Sequence, residues 1–421
     1  MPKHKVVIVG AGFAGLYAAK SLAKKDVEVT LIDKRNFHLF QPLLYQVATG
    51  GLSPGDIASP IRAIFKKQKN ITVLQTSIEK INSKKKTIIT GEKEIEYDTL
   101  IIATGVKHHY FGNDQWINDA PGLKSVEDAL KIRMRIMQAF EKAELESDKT
   151  KKCEWQRFVI VGGGPTGVEL AGALGELANQ TLLGDFRNIN PEETEIYLVE
   201  GAERILPTFS AKLSSKAKKS LEKLSVSVLT KTLVVDIDKS LVRLKNGDSE
   251  KVLNARTVLW AAGVKGSSVG ELLQNENGVK LDPAGRVIVN SDLSIPGNKD
   301  IFVIGDLAHF ETEEKEMLPG VAQVAMQQGR YMSQLILRRL KGQGIGPFKY
   351  KDKGNMAVIG RKAAVVQMAK LELSGWPAWL IWIFIHIAYL IEYDSKTKVM
   401  LQWAWNFFTR KRGARLITKM D

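Results

Sequence analysis

The sequence predicts an α/β protein with two Rossmann-like dinucleotide-binding domains in tandem, followed by a C-terminal amphipathic helical segment suited to a membrane surface. Three observations predict it: a glycine-rich strand-turn-helix unit that occurs twice, an acid that closes the next strand in each copy, and a charge-free aromatic run that ends in cations. The 421 residues are enough for two or three domains at about 150 residues each. With 44% hydrophobic and 25% charged residues, the composition is that of an ordinary globular chain.

The first unit begins with an apolar strand over residues 6–9. Gly10, Gly12 and Gly15 follow in G-x-G-x-x-G spacing, then a helix over 13–23 and a strand over 27–32 that ends in Asp33. Lys3 and Lys5 ahead of this apolar run imitate a leader peptide, but the glycine spacing accounts for the small residues without a cleavage site. Such glycines let the backbone approach a pyrophosphate, which the positive end of the helix then stabilises, and the acid accepts hydrogen bonds from ribose hydroxyls. The same order returns with a strand over 158–161, Gly162, Gly164 and Gly167, a helix over 168–177, and a strand over 195–199 that ends in Glu200. An insert around 179–193 lengthens the second copy.

Each half continues into short β-rich segments (71–90 and 226–245) and closes with an apolar strand and small residues, at 100–105 with Thr104 and Gly105 and at 258–263. One glycine fingerprint is a weak signal, whereas two in matching contexts imply two dinucleotides. Two such sites in one chain imply electron transfer between a flavin and a nicotinamide. The segment 300–306 supports the flavin, because a buried strand delivers Gly305-Asp306 to a helix start where the carboxylate can meet a ribityl hydroxyl. Glu200 should repel a 2′-phosphate and so favour NADH over NADPH.

Between the units, 125–148 reads as a long bridging helix that opens on a capping box of Ser125 and Asp128. The single cysteine, Cys153, lies in a polar linker and reads as an inert thiol. It excludes a disulfide framework, a zinc cluster and a dithiol enzyme. None of the six histidines has metal-ligand spacing, so no metal is assigned.

A net charge of +15 favours a polyanionic partner. The run 375–391 has no Asp, Glu, Lys or Arg and as a helix would span about 25 Å, slightly short of a bilayer core. After a turn at 394–398 come Trp403, Trp405, Phe407 and Phe408, and then Arg410, Lys411, Arg412, Arg415 and Lys419. Aromatics followed by cations suit a helix lying in the interface of an anionic leaflet. A core or dimer helix pair, or one transmembrane helix, are the other readings of the segment. No nucleic-acid recognition motif accompanies the charge, and a nucleic-acid binder would leave both Rossmann units without a role.

With these features the chain resembles the type II NADH dehydrogenases, single-subunit NADH:quinone oxidoreductases of the two-dinucleotide-binding-domain flavoprotein superfamily, which have a glutathione-reductase-like tandem. Besides the fingerprints, the resemblance rests on the stretch 37–46, on 322–329, which matches an A-Q-x-A-x-Q signature, on 353–361, and on the Trp-rich basic C-terminus. Relatives that use cysteine pairs are excluded by Cys153 standing alone.

The resemblance implies FAD and NADH as cofactors, hydride transfer from NADH to FAD, and two electrons passed to a membrane quinone without proton pumping. Gly10, Gly12, Gly15, Asp33, Lys34, Thr104, Gly105 and Asp306 would hold FAD, with Lys353 as a further flavin contact. Gly162, Gly164, Gly167 and Glu200 would hold NADH. Gln323 and Gln327, one turn apart, would line the quinone pocket, and Glu169 would sit near the nicotinamide-flavin junction. The implied domains are an FAD-binding domain in two parts (1–115 and 285–350), an NADH-binding domain with the bridging helix (116–284), and a membrane-association region (351–421). The implied location is peripheral, on the cytoplasmic face of the inner membrane, through anionic lipid, with a homodimer as a further possibility. Two other readings fit the same residues: an NADH dehydrogenase that uses soluble acceptors and dimerises through its C-terminus, and a non-catalytic flavoprotein that senses NADH.

Overall fold

In the computed structural model, which describes residues 2–91, 93–391 and 393–417, both predicted units form in the predicted order. The first comprises β1 (His4–Val9), α1 (Phe13–Leu22) and β2 (Val27–Asp33), followed by the short helix α2 (Leu44–Ala48), β3 (Ile71–Gln75) and β4 (Thr99–Ile102). Helix α3 (Val126–Leu145) precedes the second, which has β5 (Arg157–Val161), α4 (Pro165–Glu176), β6 (Glu195–Val199), β7 (Val226–Leu229) and β8 (Thr257–Trp260). The chain continues through β9 (Asn298–Val303), α5 (Ala322–Leu340), the strands β10 (Asn355–Gly360), β11 (Ala363–Met368) and β12 (Leu371–Gly375), and the helices α6 (Trp376–Tyr389) and α7 (Tyr393–Thr409).

Two compact units result. One takes the chain up to Leu39, Ala58–Lys107 and Val264–Asp352; the other takes Phe40–Ile57, His108–Gly263 and the chain from Lys353 onward. In the first, a six-stranded sheet runs Ser294–Ile295, β9, β4, β1, β2, β3, parallel throughout except at the Ser294–Ile295 edge. In the second, β7, β6, β5 and β8 form an all-parallel sheet. The central strands β1 and β5 are uninterrupted apolar runs because a parallel sheet is covered on both faces. Val7, Val9, Leu100, Ile102 and Ile301 anchor the first core, and Val159, Val161, Val258 and Trp260 the second. Each unit also carries an antiparallel three-stranded sheet, Lys80–Asn82 to Lys93–Glu96 in one and Leu233–Asp238 to Ser249–Asn254 in the other.

Helix α3 opens as predicted: the Ser125 side chain accepts from the Asp128 amide, and the Asp128 carboxylate accepts from the Ser125 amide. The polar linker around Cys153 is itself a short helix, Lys149–Trp155, because Asp148 caps it by accepting from the amides of Thr150 and Lys151. Cys153 is exposed on it. The turn expected at 394–398 is also helical. That stretch contains no Gly or Pro, and Ser395 and Val399, one turn apart, are both buried. The break falls earlier, at Leu390.

Candidate active site

The two glycine turns share one geometry. Gly10 and Gly162 have φ of +103° and +105°, a region open to glycine but strained for other residues. A Cβ on Gly15 would lie 1.8 Å from the Gly10 carbonyl oxygen, and a Cβ on Gly167 would lie 1.8 Å from that of Gly162. Both helices therefore start flush against their own turns. The middle glycines differ: a Cβ on Gly12 or Gly164 would meet nothing within 4 Å. These are the two places where a phosphate can reach the backbone amides and the helix N-terminus.

Each acid does a second job that spacing alone did not reveal. Asp33 accepts from the amides of Ala11 (2.6 Å) and Arg35 (2.8 Å). Glu200 does the same with Gly163 (2.5 Å) and Ala202 (2.7 Å). In both units the acid braces the glycine turn from below, and a carboxylate retains lone pairs for ribose hydroxyls. Lys34 is exposed beside Asp33. Around the first turn, Thr104 hydrogen-bonds Ser267 through the hydroxyls (2.6 Å), and Gly105 has φ +65° with open space at its Cβ. His38, which the sequence reading used only inside a motif, is buried. Its Nδ1–H donates to the Ala11 carbonyl (2.8 Å), while Nε2 has no partner among the described residues. Burial holds the ring neutral, with a pKa lowered to about 4, so Nε2 is an acceptor beside the turn. An open cradle and an orphaned acceptor fit a hydroxyl-rich dinucleotide such as FAD.

Asp306 sits on the 3-10 turn Gly305–Leu307. That turn is held by Gln328, only 1% exposed, whose Oε1 accepts from the Gly305 amide (2.6 Å). Gln328 directly follows the A-Q-x-A-x-Q run and is not part of it. Gln323 and Gln327 both lie on α5. The Gln327 amide is committed at both ends to the Lys351 backbone, donating to its carbonyl (2.9 Å) and accepting from its N–H (3.0 Å).

The second unit contains a cavity of about 410 Å³ between α2, α4, β10, α6 and α7. Trp379, Ile383 and Phe407 form part of its apolar wall, and Tyr45, Gln46 and Glu169 give it polar atoms. Of the residues predicted to take part in the chemistry, Glu169, expected near the nicotinamide-flavin junction, lines it, whereas Gln323 and Gln327, expected to line the quinone pocket, do not. Burial pushes the Glu169 carboxyl up to about 8, against a hydrogen bond from the Val358 backbone. Gly172 on α4 lets β10 approach, since a Cβ there would lie 1.7 Å from the Ile359 oxygen. Lys353 is exposed, with Nζ 3.5 Å from the Tyr389 hydroxyl.

The C-terminal cations divide into two kinds, which corrects the expectation of one lipid-facing cluster. Arg412 turns inward: Nη2 meets Glu176 (3.2 Å), and Nη1 donates to the carbonyls of Thr49 (3.2 Å) and Ala173 (3.0 Å). Arg415 pairs with Asp185. Arg410 and Lys411 are exposed, and Lys419 lies outside the described residues. Large apolar side chains on the same helices face outward, Phe384 at 75% and Phe408 at 81% exposure, with Trp376, Leu401 and Trp405 beside them in sequence. No helix among the described residues is long and apolar enough to cross a membrane. Nor, among them, does any group of three or more His, Cys, Asp or Glu have metal-binding geometry.

Residues 4–329 match the pyridine nucleotide-disulphide oxidoreductase family. A type II NADH:quinone oxidoreductase of Mycobacterium tuberculosis is 43% identical over 99% of this chain and 90% of its own length. One from Staphylococcus haemolyticus is 32% identical over 89% of this chain and 92% of its own. Among solved structures, NDH2 from Plasmodium falciparum in complex with NADH superimposes with a TM-score of 0.90 at 23% identity, covering 99% of this chain and all of that one.

Proposed function

The chain belongs to the type II NADH:quinone oxidoreductases, within the pyridine nucleotide-disulphide oxidoreductase family, and from that premise we propose how its residues carry electrons from NADH through FAD to a quinone without pumping protons. The observation that carries the proposal is the doubled glycine turn, each braced by its own acid and each open at its middle glycine. Bound FAD supplies the chemistry, accepting hydride from NADH and passing two electrons to the quinone. The protein's share is placement and protons.

Gly10, Gly12, Gly15 and Asp33 hold the FAD pyrophosphate and ribose, and Lys34, Thr104, Gly105 and Asp306 meet the rest of the cofactor, with Lys353 as a further contact. Gly162, Gly164, Gly167 and Glu200 hold NADH. The Glu200 carboxylate accepts from ribose hydroxyls and repels a 2′-phosphate. The cavity takes the quinone head group: its walls are apolar with few polar groups, as small-molecule sites generally are. With a pKa near 8, Glu169 keeps its proton at neutral pH and releases it where the acceptor gains negative charge. Gln323 and Gln327, on α5 of the first unit, take no part in this cavity, and Gln327 positions the backbone at Lys351.

Helices α6 and α7 lie on the cytoplasmic face of the inner membrane, their outward aromatics in the interface and Arg410 and Lys411 on anionic head groups. The test is rapid mixing of the flavin-loaded protein. NADH should bleach the flavin, and quinone should restore its absorbance within one catalytic turnover. Flavin that NADH bleaches and quinone leaves bleached would refute the function.

A further inference from the structure

Hydrogen-bond polarity on the cavity wall fixes the direction of one proton. The indole Nε1–H of Trp403 can only donate, and it lies 2.7 Å from Gln46 Oε1. That contact sets the orientation of the Gln46 amide. Its other end, Nε2, is then the donor to the Tyr45 hydroxyl oxygen, 2.8 Å away. The Tyr45 oxygen is thus an acceptor toward Gln46, and its own O–H must point elsewhere. Among the described residues no other hydrogen-bond partner of the Tyr45 hydroxyl is found. Tyr45 is 7% exposed and lines the cavity together with Glu169.

The chemistry of the matching ligand follows from these atoms. Glu169 retains its proton at neutral pH, so Glu169 and Tyr45 each bring an O–H donor to the cavity. A carbonyl oxygen has lone pairs and no proton. We propose that the Tyr45 hydroxyl donates a hydrogen bond to a carbonyl oxygen of the quinone in this cavity, with Gln46 and Trp403 as positioning residues that keep Tyr45 a donor. The inference rests on the reading of the cavity as the acceptor site. Burial and the nearby Glu169 raise the Tyr45 phenol well above its ordinary value, which keeps the donor proton in place. After reduction the same oxygen is a phenolic hydroxyl, a weaker acceptor than the carbonyl, so Tyr45 favours the oxidised ligand over the reduced one.

The test uses full-length flavin-loaded protein and a short-chain quinone in rapid mixing. Tyr45→Phe should slow flavin reoxidation about tenfold, the loss of one buried hydrogen bond, with bleaching by NADH as the internal control. It should also narrow the gap between quinone and quinol affinities. Trp403→Phe frees the Gln46 amide to turn its oxygen toward Tyr45 and take the proton. It should slow reoxidation in the same direction and add almost nothing in the Tyr45→Phe background. Reoxidation of Tyr45→Phe at the wild-type rate would overturn the proposal, and so would fully additive slowing in the double variant. If Tyr45→Phe failed to retain flavin, Trp403→Phe, which keeps Tyr45, would carry the test. The plug variant Ile383→Trp separates the two readings. If it blocks reoxidation while Tyr45→Phe does not slow it, the cavity stands and the donor role falls; if the plug has no effect, the cavity reading itself fails.

Discussion

At the two glycine turns the bracing contacts are local: the strand, the turn, the helix start and an acid at the tip of the adjoining strand lie within one βαβ unit. The cavity is built in the opposite way. Gln46 and Trp403 touch across 357 positions, and Arg412 reaches Glu176 across 236. The turns repeat almost atom for atom in two units because backbone sterics dictate them. The lining of the cavity depends on long-range packing. Substitutions at the turns should therefore be all-or-none and separable, whereas those around the cavity should be graded and coupled.

The largest effects should come from the turns. With a Cβ 1.8 Å from a carbonyl oxygen, Gly15→Ala and Gly167→Ala should each cost about 3 kcal/mol or more locally. Gly15→Ala should give colourless protein on purification, and Gly167→Ala yellow protein that NADH no longer bleaches. Loss of flavin from both would break the claimed independence of the two turns.

Next comes the half-buried ion pair in the cavity wall. Arg412→Ala leaves Glu176 without its ion partner, with the Arg361 amide as a remaining donor, and should lower stability by about 3 kcal/mol, read as a fall in melting temperature. Lys411→Ala, on the exposed side, should leave the melting temperature in place and weaken sedimentation with anionic vesicles. Equal effects of the two would erase the division between inward and outward cations.

A smaller effect concerns Glu169. Its folded value of about 8 lies above the ordinary 4.5, so between these pH values the folded chain holds a proton that the unfolded chain has released. That contribution to stability is complete below about 4.5 and is lost as pH rises through about 8. Quinone reoxidation should fall over the upper part of the same range as the donor proton disappears. Glu169→Gln should slow reoxidation at pH 7 and flatten both profiles; an unchanged pH dependence would remove Glu169 from the proton path. The smallest change expected is at Glu200. Glu200→Gln should reduce the preference for NADH over NADPH by several-fold, roughly 1 kcal/mol, measured as the ratio of kcat/KM values.

What the sequence made legible follows the same division. Gly10, Gly12, Gly15, Asp33 and their counterparts could be placed before any coordinates, since glycine spacing and strand ends are local signals. The bracing of each turn by its acid was hidden, because spacing shows where a carboxylate is and not what its second oxygen touches. Arg412 was grouped with lipid-facing cations because nothing near it in sequence hints at Glu176. The missed continuation of α7 through 394–398 has a similar origin: a polar stretch reads as a turn until the burial of Ser395 and Val399 is known. Gln328 holds Gly305 and Ser267 holds Thr104 from other segments, and neither leaves a motif of its own.

The most direct test of the acceptor cavity is photolabelling with an azido-quinone, followed by peptide mapping. The account predicts label on the peptides of α6 and α7, around Trp379, Ile383 and Trp403, and its loss when excess unlabelled quinone is present. Label absent from both helices, or label there that excess quinone does not displace, would contradict it.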